Sequence, residues 1–461
     1  MTEVFKGNFT QQEAIPEEGI EAAMDVLRSG RLHRYNLVGE EPGEVSLLER
    51  EFAEYNGAKY ALAVASGGYA MATALRALGV GPGDRVLTNA FTLAPVPGSI
   101  ASVGAVPVFV GVTEALTIDL DDLAAKTQDA DVLMLSHMRG HLADMDRLME
   151  ICDAGNVTVV EDCAHTMGAA WRGVPSGRWG RVGCYSTQTY KHMNSGEGGL
   201  LTSNDPDFMA RAIILSGSYM LYERHGAAPA RSHFEKARLE TPNCSGRMDN
   251  LRATILRPQL AGLEKNIERW NERYRTIETA LKASGLFHLP ERPAAEHPVG
   301  SSIQFLVEGI APDAARAFVA DAKALGVELK WFGDADPVAF TSNHHSWRFI
   351  ADQALPKTDA VLSGRADNEA LAANLKDGAQ TGFSVGYTVS RWQKSKDGQT
   401  GKPMRRAVAG RFVEGSLVIN PADANAFVRM EDMETETQIG NENAGLDDAT
   451  LRTLARSAGI A

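Results

Sequence analysis

The feature that most constrains the fold is an alternation of short apolar runs with helix-length amphipathic stretches. Runs that are apolar on both faces are typical of strands buried between two layers of helices. The alternation therefore predicts βαβ units and a parallel sheet, which is an α/β fold. The runs read YALAVA at 60–65, RVLTNAF at 85–91, VPVFVGV at 106–112, DVLMLSH at 131–137 and VTVVED at 157–162.

Helical patterns precede and follow this region. Residues 19–30 (GIEAAMDVLRSG) and 44–57 (EVSLLEREFAEYNG) carry apolar side chains at helical spacing, and each stretch ends on a glycine. Helices commonly stop at such a glycine. A longer pattern over residues 248–285 predicts one long helix with a kink at Pro258.

Beyond residue 285 the pattern becomes that of an α+β region. SSIQFLVEG at 301–309 and VELKWFG at 327–333 read as strands. Residues 311–326 between them read as a helix with Pro312 near its first turn. The chain of 461 residues is also too long for one ordinary core, so more than one domain is expected.

We therefore predict three regions. Residues 1–265 form a large domain, with an N-terminal helical segment and a central, mostly parallel sheet flanked by helices. Residues 266–375 form a smaller α+β C-terminal domain. Residues 376–461 form a C-terminal extension of unclear role that could pack on the small domain.

Composition argues against several classes of protein. A net charge of −13 argues against nucleic acid or an anionic membrane as a partner. The four cysteines show no CxxC spacing and do not resemble a disulfide or zinc framework. No uninterrupted apolar run reaches the length of a membrane span. We expect a cytoplasmic protein that binds small molecules and needs no metal.

Three motifs fall at the predicted carboxyl ends of strands, where open parallel sheets bind their ligands. The first is Ser66-Gly67-Gly68, between the first strand and a helix. Glycines let backbone N–H groups approach an anion, and a helix N-terminus favours negative charge. An ordinary tight turn has the same sequence, so this motif alone is weak evidence for a phosphate site.

The second motif is Glu161-Asp162-Cys163-Ala164-His165, directly after VTVV. At least one of its carboxylates should point into the crevice, where it can keep a cofactor's ring nitrogen protonated. Two simpler interpretations remain open. Asp162 could cap the next turn, and His165 could be a core histidine instead of a ligand contact.

The third motif contains Lys191, with Ser186 five residues before it and GEGG at 196–199 after it. A lysine that forms Schiff bases must lose its proton, which requires burial or a neighbouring cation. Ser186 offers a hydroxyl for a phosphate, and the glycines let backbone lie close to a planar cofactor. The three motifs in this order are far more specific than any one of them.

With these motifs, residues 10–375 resemble the DegT/DnrJ/EryC1/StrS family of sugar aminotransferases, which are pyridoxal 5′-phosphate enzymes of fold type I. The resemblance implies that Lys191 forms the internal aldimine and later acts as general acid and base. It implies that Asp162 pairs with the pyridine nitrogen and that His165 lies near the ring hydroxyl. The stretches that carry it are FAEYNGAKYALAVASGG, PVFVGV, SHMRGHLADMD, VVEDCAHTMGA, GCYSTQTYKHMNSGEGGLLTSND and GRMDNLRATILRPQL.

The resemblance also implies a phosphate site made by Ser186 with Ser66, Gly67 and Gly68. In the family, the partner subunit of a homodimer contributes a further phosphate contact. Asn243 or Ser245 could make that contact here, and the sequence does not choose between them.

The sequence departs from the family where an aromatic residue usually stacks on the cofactor ring. AFTLAPV places Leu93 at that position, with Phe91 two residues before it. Either the stacking is aliphatic or Phe91 takes the role.

The resemblance implies transfer of an amino group from glutamate or glutamine to a keto sugar or keto cyclitol. An acidic or nucleotide-linked sugar is within this class. Relatives that dehydrate sugars carry histidine at the lysine position, so Lys191 favours transamination. Sugar dehydration, or transamination of a keto acid that is not a sugar, is the alternative.

Overall fold

The computed structural model describes residues 5–7, 12–307, 312–329, 382–396 and 403–418. The chain divides into two compact units, Met1–Ala373 and Asn374–Ala461. The predicted boundaries at 265/266 and 375/376 stay predictions.

Seven strands form the central sheet of the first unit, in the spatial order β1-β9-β8-β5-β4-β2-β3. All neighbouring pairs are parallel except those that β9 makes with β1 and β8. A small second sheet has the order β10-β6-β7. The strands are β1 (Tyr60–Val64), β2 (Arg85–Asn89), β3 (Val106–Val110), β4 (Val132–Ser136), β5 (Thr158–Asp162), β6 (Ala170–Trp171), β7 (Val174–Pro175), β8 (Val182–Ser186), β9 (Gly199–Ser203) and β10 (Glu296–His297).

Helices cover both faces of the central sheet, so alternate residues of one strand enter two different cores. In β4, Leu133 and Leu135 belong to one cluster of buried side chains, and Val132 and Met134 belong to the other. This explains why the strands are apolar throughout. The helices are α1 (Glu17–Ser29), α2 (Glu44–Asn56), α3 (Gly67–Leu78), α4 (Pro95–Ser102), α5 (Leu120–Lys126), α6 (Met145–Ala154), α7 (Pro206–Ser216), α8 (Phe234–Glu240), α9 (Asn250–Ala261), α10 (Leu263–Ser284) and α11 (Pro312–Ala324).

The mostly parallel sheet between helices, and therefore the α/β fold class, is confirmed. The helices α1 and α2 end at Gly30 and Gly57, which are in the left-handed conformation, as the sequence predicts. Where the structure describes the chain, no helix is both long and apolar enough to span a membrane. The cytoplasmic location stays a prediction.

Two predictions about the region after residue 248 are wrong in detail. The predicted long helix breaks at Gly262 and not at Pro258, which lies inside α9. Gly262 has φ −95° and ψ 0°, and its N–H donates to the carbonyl of Pro258. A proline removes one backbone donor, but the helix continues past it and ends at Ala261.

The predicted strand at 301–309 is an extended segment over its described residues, 301–307, with a single bridge between Leu306 and His288. Its polar side chains bond to the loop that follows β4. Ser302 Oγ donates to the carbonyl of Arg139 and Gln304 hydrogen-bonds His141. The predicted strand at 327–333 and the end of the chain fall largely outside the described residues.

The second unit contains a two-stranded antiparallel ladder. Its strands are β11 (Gly382–Lys396) and β12 (Pro403–Val418), with register shifts near Tyr387 and Arg391.

A buried charge cluster ties the segment after α1 to α2 and β1. The Nη1 and Nη2 atoms of Arg34 each donate to a carboxylate oxygen of Glu49 at 2.9 Å. Glu49 also accepts from the N–H of Ala63 at 3.0 Å, and His225 lies 3.0 Å from Arg34 Nη2. Burial by itself raises the pKa of Glu49, but the charges and hydrogen bonds of Arg34 and His225 together outweigh burial and lower that pKa to about 2.

We expect Glu49→Gln to destabilise the protein by about 3–5 kcal/mol, because it leaves the buried Arg34 charge without its counter-ion. Asp25→Asn is the matched control, since the Arg28–Asp25 pair is exposed and contributes little. Urea denaturation of both variants measures the difference. Equal urea midpoints for Glu49→Gln and the wild type would contradict the role of Glu49 as the buried counter-ion of Arg34.

The same pair predicts a pH dependence. The folded-state pKa of Glu49, about 2, lies below its ordinary value of 4.5. The stabilisation that ionised Glu49 gives the folded protein is therefore fully present above pH 4.5 and is lost as the pH falls towards 2. The difference in unfolding free energy between wild type and Glu49→Gln should become smaller as the pH falls over that range. A difference that does not change with pH would contradict the lowered pKa of Glu49.

Candidate functional site

The carboxyl ends of β4 and β5 meet at Asp162, the last residue of β5. Its Oδ2 accepts a hydrogen bond from Ser136 Oγ at 3.0 Å, and its Oδ1 accepts from the N–H of Ala164 at 3.1 Å. Ser136, the last residue of β4, is paired in register with Asp162. Its Oγ in turn accepts from Thr92 Oγ1 at 2.7 Å. The carboxylate is thus fixed by two strands and the loop after β2.

Burial is the largest influence on Asp162, and it raises the pKa of the carboxyl. The nearby Lys191 charge and the hydrogen bonds from Ala164 and Ser136 act in the opposite direction. A carboxylate that burial makes costly to ionise is well suited to accept a hydrogen bond from a cationic N–H group.

Lys191 lies in a loop between β8 and β9 that folds back on itself. The N–H groups of Thr187 and Thr189 donate to the carbonyls of Gly198 and Gly196, at 2.9 and 3.1 Å. Gly196 has φ 76° and Gly198 has φ 158°. Left-handed backbone of this kind favours glycine, which accounts for the glycines after the lysine.

The amine of Lys191 meets His165 at this site. Its Nζ lies 2.9 Å from Nε2 of His165. Burial lowers the pKa of Lys191; the Asp162 charge opposes this shift and the Arg139 charge adds to it. Burial, with the charges of Lys191 and Arg139, lowers the pKa of His165 well below its usual value. The histidine is therefore neutral, and the amine loses its proton more easily than a solvated lysine does.

Two of the predicted phosphate-binding motifs lie side by side. A Cβ placed on Gly67, the first residue of α3, would lie 2.8 Å from Cβ of Ser186 at the end of β8. Ser66 Oγ caps α3 by accepting from the N–H of Tyr69 at 3.0 Å. Near Gly68 an added Cβ would meet nothing closer than 4.0 Å. Ser186 Oγ accepts a long hydrogen bond, 3.3 Å, from the N–H of Gln188.

Asn243 and Ser245 lie in a segment that docks at the carboxyl end of β1. The N–H of Ala65 donates to the carbonyl of Gly246 at 2.9 Å. Asn243 and Ser245 are exposed and hydrogen-bond each other, with Ser245 N–H donating to Asn243 Oδ1 at 3.2 Å. This brings both residues to the same edge of the sheet as Ser66.

Phe91 and Leu93 occupy different environments. Phe91 is 5% exposed and packs in a small cluster with Val112, Leu116 and Met138. Leu93 is half-buried and packs against the outside of that cluster. Leu93 is therefore the more accessible of the two candidates for stacking on a cofactor ring.

Glu161 has a structural role. Its carboxylate accepts from the N–H groups of Gly177, Trp179 and Gly180 at 2.7–3.0 Å and hydrogen-bonds His137 at 3.0 Å. The ligand atoms of His137, Glu161 and Cys163 lie within 4.8 Å of one another. Burial raises the pKa of Cys163 well above its usual value, and the hydrogen bonds of Glu161 account for the position of its carboxylate.

Three residues at the site were not predicted from the sequence. Ser136 and Thr92 support Asp162, and His192 hydrogen-bonds Ser301 Oγ at 3.0 Å. The sequence does contain a signal for Ser136, because it ends the apolar run next to the one that Asp162 ends. Thr92 and His192 lie in loops whose conformation no simple pattern predicts.

The two adjacent glycines predict opposite effects of added methyl groups. Gly67→Ala places its Cβ against Ser186, so we expect a loss of about 1–3 kcal/mol from overpacking. Gly68→Ala has space and should gain up to ~1 kcal/mol from helix propensity. Urea denaturation of the cofactor-free protein measures both. A Gly67→Ala variant as stable as Gly68→Ala would contradict the close contact.

Comparisons with known proteins agree with this architecture. The L-glutamine:2-deoxy-scyllo-inosose aminotransferase of Streptomyces lividus is 33% identical, over 53% of this chain and 58% of the relative. The dTDP-3-amino-3,4,6-trideoxy-alpha-D-glucose transaminase of Streptomyces venezuelae is 34% identical, over 58% of this chain and 64% of the relative. The chain thus spans about three fifths of the length of these curated relatives.

The solved structure of 3-amino-5-hydroxybenzoic acid synthase is also similar. It aligns with a TM-score of 0.60 and 28% identity, covering 68% of this chain and 80% of that one. A sequence model of the DegT/DnrJ/EryC1/StrS aminotransferase family matches residues 13–354, close to the range that the motifs predict. The chain belongs to the DegT/DnrJ/EryC1/StrS aminotransferase family.

Proposed function

We propose that this protein is a pyridoxal-phosphate-dependent aminotransferase that moves an amino group from glutamate or glutamine to a keto sugar or keto cyclitol. The observation that carries the proposal is the position of the Lys191 amine, 2.9 Å from His165, within the electrostatic influence of Asp162. An easily deprotonated lysine beside a fixed, buried carboxylate is what covalent amine chemistry requires.

The residues of the site fit this cofactor. Asp162 would hold the protonated ring nitrogen, whose charge offsets the cost of burying the carboxylate. Ser186 and the first turn of α3 would hold the phosphate, since a helix N-terminus beside a hydroxyl suits an anion. The accessible Leu93 would cover one face of the ring. When bound, the cofactor supplies an electrophilic carbon and a ring that accepts the electrons released when a C–H bond breaks.

The chain's own groups divide the proton chemistry. Lys191 Nζ acts first as a nucleophile, which its lowered pKa favours. As a free amine, Lys191 Nζ can also remove a proton as general base and return it as general acid. Neutral His165 orients Nζ through their hydrogen bond without adding a second positive charge. Ser136 and Ala164 keep Asp162 in place throughout.

The names of the relatives support the substrate class. One relative is named for glutamine as donor and an inosose, a keto cyclitol, as acceptor. Another is named for an amino sugar linked to dTDP. The inosose carries a ketone on its ring, and the amino sugar carries its amino group on a ring carbon, so we propose a ketone on a sugar or cyclitol ring as the acceptor of this protein.

We also propose a homodimer in which the exposed Asn243–Ser245 segment of one subunit faces the site of the other. Asn243 and Ser245 are both solvent-exposed at the sheet edge that carries Ser66. Two-fold symmetric dimers use the same patch twice, so each subunit would complete its partner's phosphate site.

Lys191→Ala tests the function directly. We expect it to abolish the visible absorbance of lysine-bound pyridoxal phosphate and to slow formation of 2-oxoglutarate from glutamate about 10²- to 10⁴-fold. Lys282→Ala is the control, because Lys282 is an exposed residue of α10 that pairs with Glu278. Full transamination by Lys191→Ala would refute the proposal.

A further inference from the structure

His192 directly follows Lys191, and its imidazole is buried and held on two sides. The residue is 9% exposed. Its Nε2 lies 3.0 Å from Ser301 Oγ. Its ring packs against that of Trp270, with 5.6 Å between the ring centroids and an angle of 43° between the planes. One hydrogen bond and one ring contact therefore fix the position of this side chain.

Both contacts of the imidazole depend on α10. Trp270 and Asn271 are consecutive residues of this helix. Asn271 Nδ2 donates to the carbonyl of Pro298 at 2.9 Å, and its Oδ1 accepts from the N–H of Gly300 at 2.6 Å. These two bonds hold the segment that leads into Ser301. The hydroxyl and the indole ring that His192 contacts are thus both fixed by the same helix.

The second ring nitrogen of His192 has no partner. Nδ1 is closed to solvent and forms no hydrogen bond with any residue that the structure describes. A buried polar atom in this state is unfavourable, and in a native protein it requires an explanation. A phenylalanine ring could pack against Trp270 without this cost. Packing alone therefore does not account for a histidine at this position.

The imidazole is not available to a reactant. Ser301 occupies Nε2, and Nδ1 is closed to solvent. A ligand in the site would meet neither nitrogen. Any role of His192 in the chemistry therefore acts through its neighbour in the chain, Lys191.

The segment after Lys191 has few other polar contacts. Gln259 of α9 bonds the N–H and the carbonyl of Asn194 at 2.8 and 2.9 Å. Between these two loop residues, the N–H groups of His192 and Met193 donate to no residue in the described part of the chain. The His192 imidazole therefore supplies the hydrogen bond that ties the segment directly after Lys191 to the rest of the protein.

We propose that His192 is a positioning residue that fixes where the Lys191 amine lies. The inference rests on the proposed function, because it assigns a supporting role at the same site. Consecutive Cα atoms are about 3.8 Å apart, so a fixed His192 restricts the main chain of Lys191. The amine lies 2.9 Å from His165 Nε2, and a displacement of about 1 Å can slow a reaction about 10²-fold.

The test uses variants that separate the hydrogen bond from the ring contact. His192→Phe keeps a ring against Trp270 and loses Nε2. Ser301→Ala removes the hydroxyl that Nε2 contacts, and Ser301→Thr keeps it. Ser301 is exposed, so its variants test the bond even if His192→Phe does not fold. Ser284→Ala is the control, because Ser284 is an exposed serine of α10 whose hydroxyl donates to the carbonyl of Leu281.

The first measurement is the apparent pKa of the Lys191 amine in the cofactor-free protein. It comes from the pH dependence of labelling by 1-fluoro-2,4-dinitrobenzene, followed by peptide mapping. Burial lowers this pKa from its ordinary value of 10.5, and a loosened loop exposes the amine. His192→Phe and Ser301→Ala should therefore raise the pKa towards 10.5. Ser301→Thr and the control should match wild type, because the charges of Asp162 and Arg139, which also act on the amine, are unchanged.

The second measurement is transamination by the loaded enzyme. We expect His192→Phe and Ser301→Ala each to lower kcat about 10- to 100-fold, with little change in KM for L-glutamate. The double variant should be no slower than the slower single variant, because both substitutions remove the same bond. Urea denaturation should find His192→Phe at least as stable as wild type, because it removes a buried nitrogen that has no partner.

The inference is overturned if the pKa of Lys191 is the same in wild type, His192→Phe and Ser301→Ala. It is also overturned if Ser301→Thr shifts that pKa as much as Ser301→Ala does, because the hydroxyl is then not the cause. A lower kcat accompanied by lower stability and an unshifted pKa is the result of a purely structural role. Absence of transamination by the wild type refutes the proposed function instead, and labelling of the cofactor-free protein still decides the role of His192.

Discussion

The site depends on how the Asp162 carboxylate is held at the end of β5. Ser136 and Ala164 each donate one hydrogen bond to it, and register pairing places Ser136 at the same level of the sheet. Burial opposes its ionisation. A carboxylate in this state needs a nearby positive charge, and Lys191 lies close enough to provide one in the protein alone.

The same balance acts on the lysine. Burial favours the neutral amine of Lys191, and the Asp162 charge resists its deprotonation. A cofactor whose ring nitrogen carries a proton would take over the role of counter-ion to Asp162. The amine would then be freer to react, so binding of the cofactor and activation of the nucleophile are linked by electrostatics. Arg139 adds to this effect, because its charge also disfavours protonated Lys191.

Much of this arrangement could be predicted from the sequence. The apolar runs predict the strands because residues of a doubly covered sheet, such as Leu133 and Met134, are buried on both faces. The motifs around Ser66, Asp162 and Lys191 are predictable because parallel strands bring their carboxyl ends to one edge. The sequence does not predict the helix break at Gly262, because proline has the lower helix propensity of the two residues, although α9 continues past Pro258.

Other features depend on tertiary structure alone. The left-handed turn at Arg139 is bonded by Ser302 and Arg292, which are more than 150 residues away in sequence. His192 is likewise placed by Ser301. The apolar residues of 301–309 predict a strand, but only a single bridge forms within the described residues 301–307. The polar side chains of this segment instead bond the loop after β4, and sequence periodicity does not report such long-range contacts.

We propose that Lys191 is the covalent attachment point of the cofactor. The most direct measurement is borohydride reduction of the protein loaded with pyridoxal phosphate, followed by peptide mapping by mass spectrometry. We expect a pyridoxyl adduct on the peptide that contains Lys191, at about one per subunit, as for a single Schiff-base lysine. An adduct on a different lysine, or no adduct on a loaded protein, would contradict it.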